Sequence, residues 1–126
     1  MNPPTVVVVG ASTNRNKYGN RAVRAYARQG FHVLPVNPHA ATVEGHRAYR
    51  SLADLPPGPI ARVTFYVPPA VGLPLLEQLA GKQVEEVWLN PGSESPELIA
   101  RAEALGLPVK IGCSILDVGV NPHQLD

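Results

Sequence analysis

One cysteine, Cys113, in 126 residues is too few for an intramolecular disulfide or for a multi-cysteine zinc site. No apolar run is longer than four or five residues, which excludes a membrane-spanning helix by sequence. The opening MNPPT has neither the basic residue nor the apolar core of a secretory signal, so a cytoplasmic protein is expected. Aromatic residues are scarce, at 6%, the net charge is near zero, and no interleaved aromatic-basic platform is found, so a nucleic-acid partner is not expected. Two further absences matter more. The run VVVVG (residues 6–10) opens like a dinucleotide-binding unit, yet Ser12 and Arg15 stand where its second and third glycines belong. The acid that takes the two ribose hydroxyls in NAD enzymes, about 20 residues further on, is also missing. Asn37 stands in its place.

Hydrophobic content of 44% with 17% charged residues is that of a folded domain, and 126 residues suffice for one. The net charge of +1 hides an asymmetry. Residues 1–50 hold seven basic residues against one acid, Glu44, whereas residues 51–126 hold four basic and nine acidic ones. Such a field suits a small polyanionic ligand on the first half, or else a solvated helix face at Arg21, Arg24 and Arg28.

Strands are expected at Thr5–Val9, His32–Val36, Arg62–Val67, Glu85–Leu89 and Val109–Gly112. Helices are expected at Arg21–Gln29, through Leu73, Leu76, Leu79 and Ala80 to Gly81 with Pro74 in the first turn or at the start, and after Ser95, with Pro96 at the first helical position. A long polar connection runs from Asn37 to Arg50, and Ser51 caps a short turn, SLADLP. Alternation of this kind implies an α/β protein: one Rossmann-type three-layer domain over residues 1–126, a five-stranded parallel sheet with helices on both faces. The expected strand order is 3-2-1-4-5, with a crevice where strands 1 and 4 end. Trp88 is expected in the core.

All segments that follow strands then gather on one edge. In the first, Gly10 at the strand end allows a tight turn into Ala11, Gly19 permits close backbone approach, and the first turn of the helix offers free amides. Ser12 and Thr13 add hydroxyl donors, and Arg15 and Lys17 add charge beside Tyr18. Alternatively, Ser12 and Asn20 simply cap the helix. After strand 2, a neutral Asn37 does not repel a phosphorylated ribose, and His39 can help neutralise one, which favours NADP or coenzyme A over NAD. Asn37 and Pro38 also suit a plain turn. Val67 and Pro68 after strand 3, and Asn90, Pro91 and Gly92 after strand 4, can flank an adenine or a flexible arm.

The set GAS, K-Y-G, V-N-P, G-x-x-x-Y-x-S-L, V-P and W-L-N-P-G-S, in order over nearly the whole chain, resembles the small stand-alone CoA-binding proteins. These are similar to the N-terminal CoA-binding domain of the succinyl-CoA synthetase alpha subunit. The resemblance implies a Rossmann-type fold that binds coenzyme A, its diphosphate on the Gly10–Gly19 loop and its adenosine near Asn37, Pro38, Val67 and Pro68. The chain departs from the family where Asn90 stands for a frequent Gln, and where Ile111 and Gly112 replace a charged pair before the late cysteine.

No catalytic grouping is found. There is no G-x-S-x-G elbow and no converging pair of carboxylates, and the histidines His32, His39, His46 and His123 lack co-ligands for a metal. Cys113 follows strand 5 on the ligand edge, but a lone cysteine is most often a small buried hydrophobe. A non-catalytic CoA-binding module is therefore expected. The alternative is an NADP-dependent oxidoreductase or its nucleotide-binding subunit. A receiver-type domain would need an acid where Val67 and Pro68 stand.

Overall fold

The computed structural model describes residues 2–125 of the chain. Five parallel strands form the main sheet: β1 (Thr5–Val9), β2 (His32–Val36), β5 (Ile60–Phe65), β6 (Val84–Leu89) and β7 (Val109–Ile111). A small antiparallel hairpin, β3 (Thr42–Val43) and β4 (His46–Arg47), interrupts the connection after β2. Helices α1 (Tyr18–Arg28), α2 (Pro69–Leu79), α3 (Pro96–Ala104) and α4 (Ser114–Asp117) complete the layers.

The sheet order is β2-β1-β5-β6-β7, which corrects the expected 3-2-1-4-5. The third long strand lies against β1, with Val6 beside Arg62 and Val9 beside Phe65, so the order reverses between β1 and β5. Pro35 supplies the physical reason. It has no N–H, and its carbonyl accepts from Tyr49 N on the outer side of β2. A strand with proline at that position belongs at an edge, and order 3-2-1-4-5 would have put it inside.

The continuous valine run is explained by burial on both faces. Val7 and Val9 join the core under α2 and α3, whereas Val6 and Val8 join the one under α1 and α4. The second layer stops at β5. Trp88, on β6, is therefore half-buried rather than in the core; the Arg62 guanidinium lies 5.1 Å from its ring centre, and its Nε1 donates to Glu86.

Helix α2 begins at Pro69 and carries Pro74 inside, beyond the first turn, where the expectation had it in the first turn or at the start. Both Pro74 and Ala70, whose carbonyl loses its helix partner, are exposed, so water can replace the missing bond. Strand β5 starts and ends two residues earlier than expected: Ile60 N already donates to Gln83 O beside β6, and the chain bends at Val67 before Pro68. Ser95 caps α3 as expected, its Oγ accepting from Leu98 N at 3.1 Å.

Candidate functional site

Parallel strands deliver their following loops to one edge, and there the molecule has a cleft of about 890 Å³. It runs from Asn37 after β2, past Gly10 after β1 and Val67 after β5, to Asn90 after β6 and Cys113 after β7. Five strands at their usual spacing make that roughly 19 Å long. Two smaller depressions, of about 520 Å³ between α2 and α3 and about 470 Å³ at the opposite sheet edge, lie away from the strand ends.

One wall is the loop from Gly10 to Gly19. A Cβ on Gly19 would stand 2.0 Å from the Gly10 carbonyl oxygen, and one on Gly10 2.9 Å from the Tyr66 carbonyl oxygen. The two glycines that the sequence keeps are therefore those at which backbone meets backbone. Helix α1 starts at the cleft without a side-chain cap and with no acid in its first turn. Its first-turn amides and dipole thus face the cleft and favour an anion. Ser12 does not cap the helix; its Oγ accepts from Asn14 N at 3.0 Å, within the loop. Asn20 is fully buried and donates to Ser12 O at 2.8 Å, tying loop to helix.

Of the residues expected at the site, Gly10, Ala11, Ser12, Lys17, Tyr18, Gly19, Asn37, Val67, Pro68, Asn90, Pro91 and Gly92 line the cleft. Thr13, Arg15, Pro38 and His39 do not. Arg15 turns aside to pair with Glu44. Among the described residues that line the cleft, none is a carboxylate, and Lys17 carries the fixed positive charge.

Two asparagines at the cleft are tied into the backbone around them. Asn37 Nδ2 donates to Ala11 O at 3.0 Å, while its Oδ1 accepts from His39 N and Ala40 N at 2.7 and 2.9 Å. It forms the turn and borders the cleft at once. Asn90, only 3% exposed, donates to Thr64 Oγ1 at 2.7 Å and to Phe65 O at 2.9 Å, and accepts from Ser114 N at 2.9 Å. It holds the floor together rather than reaching into the cleft. Thr64 Oγ1 and Tyr66 Oη complete that floor, 2.7 and 3.1 Å from Ser114 Oγ. Burial pushes the Tyr66 hydroxyl well above its usual range, so it stays protonated into alkaline pH.

Sequence reasoning missed Tyr66, Ser93, Leu116, Pro122 and His123 as cleft residues. Ser93 stood within the recognised W-L-N-P-G-S and could have been taken. The last three sit on α4 and a 3-10 turn at Pro122–Gln124, elements of three or four residues that leave no periodic signal. Among the described residues no three His, Cys, Asp or Glu side chains converge as metal ligands, and no helix is long and apolar enough to cross a membrane.

The sheet, the reversal between β1 and β5, and the glycine-tight first loop define a Rossmann-type nucleotide-cofactor domain. The particular family is shown by its model: residues 4–118 match the CoA binding domain, and the chain belongs to that family. It is similar to a conserved hypothetical protein from Pyrococcus furiosus, with 34% identity, 93% of this chain and 99% of that one covered, and a TM-score of 0.80. A Thermus thermophilus protein shares 28% identity over 91% of this chain and 87% of its own, with a TM-score of 0.83. The dinucleotide-forming acetyl-coenzyme A synthetase 1 of Ca. Korarchaeum cryptofilum, solved with phosphate and ADP, shares 27% identity. That match covers 86% of this chain but 25% of the longer enzyme, with a TM-score of 0.72.

Proposed function

We propose that this protein holds coenzyme A, free or acylated, along the carboxyl edge of its sheet, and that it does so without catalysing a reaction. The observation that carries the reading is the wall from Gly10 to Gly19. It offers uncapped helix amides and Lys17 to a phosphate, in a cleft bordered by no carboxylate among the described residues. The diphosphate would sit there, with the adenosine between Asn37 and Val67–Pro68. The pantetheine arm would cross Asn90, Pro91 and Gly92 toward Cys113. A cleft of about 890 Å³ reaching over all five strand ends fits a ligand of that extended kind. Tyr66 and Ser114, the hydroxyls of the floor, are occupied with each other 3.1 Å apart.

Calorimetric titration with CoA, dephospho-CoA, NAD and NADP tests the reading. CoA is expected to bind most tightly. Tightest binding by NADP, together with hydride transfer from NADPH to a carbonyl panel, would replace it with the oxidoreductase reading.

A further inference from the structure

The one acid of the first fifty residues occupies an unusual place. Glu44 sits at the tip of the β3–β4 hairpin with φ +49, the only non-glycine residue at positive φ among those described, and Gly45 follows at φ +80. Two-residue hairpin turns of this kind normally take Asn, Asp or Gly, because a longer side chain gains no local hydrogen bond there. Glu44 makes distant ones instead. Its Oε1 pairs with the Arg15 guanidinium, and its Oε2 accepts from Asn20 Nδ2 at 3.1 Å. Val43, 1% exposed in the core beside α1, fixes the hairpin that carries it. Arg24 braces the same cluster, its Nε donating to Asn20 Oδ1 at 2.8 Å and its Nη2 to Arg15 O at 2.7 Å.

One carboxylate oxygen thus takes a donor from the loop that closes the cleft, and the other takes one from the first turn of α1. A carboxylate held by a guanidinium and an amide is an anion bound by the protein itself. Arg15 is the loop cation that does not reach the cleft, and its side chain is 53% exposed where it meets Glu44. We propose that Glu44 is an internal anion that competes with ligand phosphate for Arg15 and so sets the affinity of the loop. The proposal rests on the reading of that loop as the phosphate seat. Glu44 would act as a positioning residue: it touches no ligand, and it determines whether Arg15 can.

The experiment is a titration of CoA into wild type, Glu44→Gln, Arg15→Gln and the double variant. Glutamine can still accept from Asn20, so the hairpin keeps its attachment while the charge is lost; Glu44→Asn, which suits the turn better, is the second route. A thermal melt verifies folding of each. Both Glu44 variants are expected to bind CoA about two- to fivefold more tightly, the range a partly exposed ion pair allows. The gain should vanish when Arg15 is also replaced. Unchanged or weaker binding in folded Glu44 variants would overturn the proposal, as would a gain that persists without Arg15. Inorganic pyrophosphate, titrated in parallel, separates the two readings. If wild type ignores CoA, the CoA assignment fails, and Arg15-dependent tightening of pyrophosphate by Glu44→Gln still decides for or against the competition.

Discussion

The two ends of the cleft are built from the same device in different chemistry. At the β1–α1 end a buried asparagine, Asn20, ties the loop to its helix through the Ser12 carbonyl, and its side-chain partners are charged: Arg24 and Glu44. At the β6–β7 end a buried asparagine, Asn90, ties the loop to its sheet, and its partners are hydroxyls and backbone: Thr64, Phe65 and Ser114. Leu116, 59% exposed, borders that second end. One end therefore presents donors and positive charge, and the other a neutral floor with an apolar rim. A ligand anionic at one end and uncharged along the remainder matches both. Buried polar networks give definite geometry only when every member has a partner, and no buried side-chain polar atom among the described residues lacks one.

The contrast is broken most severely at Gly19. Replacing it with Ala drives a Cβ to 2.0 Å from the Gly10 carbonyl oxygen, and backbone rather than a mobile side chain must yield. A loss of about 2–3 kcal/mol is expected, or roughly 10 °C in melting temperature for a domain of this size. Binding of both CoA and inorganic pyrophosphate should disappear with it. Asn90→Ala comes next. It leaves Ser114 N–H without a partner and withdraws the donors to Phe65 O and Thr64 Oγ1, for about 2 kcal/mol of stability. CoA binding should weaken while pyrophosphate binding is preserved. Equal losses for the two ligands would show that the ends are one rigid unit.

Much of this was readable beforehand, and the reasons for the failures are specific. Strand and helix alternation is local, so β1 and β2 emerged with their observed limits and the other three strands of the sheet within two residues, whereas α1 starts three residues and α2 several residues earlier than expected. Strand order is decided by long-range packing, and the sequence contained only one clue to it, the proline in the middle of β2. Asn37 and Asn90 line the cleft, but their polar atoms are turned to protein partners. An asparagine that can touch a ligand and one that knits a loop look the same in sequence, because both follow a strand. The hairpin at Thr42–Arg47 was equally hidden: two-residue strands have no period to detect, and Glu44 lacks the turn chemistry that marks such loops. Its importance emerges only from where its carboxylate goes.

The charged end can be probed without disturbing the fold. Lys17→Ala removes the fixed positive charge that lines the cleft and breaks no side-chain cap of α1. CoA binding should weaken by about 1 kcal/mol, close to fivefold, with the melting temperature unchanged. The difference should shrink in high salt, since the charge is exposed to screening. A salt-independent loss would mean that Lys17 contributes packing instead of charge.

The smallest expected effect concerns proton binding in the absence of ligand. The Glu44 carboxyl is held below its ordinary 4.5 by the Asn20 hydrogen bond first, and then by the charges of Arg15 and Arg24. Because the folded form resists protonation, the stabilisation from Glu44 is complete above that ordinary value. It is lost as the pH falls through the lower folded-state pKa. Melting temperatures of wild type and Glu44→Gln, compared from neutral to acid pH, should therefore differ slightly at pH 7 and converge in acid. A difference that stays constant across the range would show that Glu44 steadies the hairpin by shape alone. The charged end would then owe its order to neutral hydrogen bonds, as the other end does, and the distinction between the two would reduce to Lys17 and the helix amides.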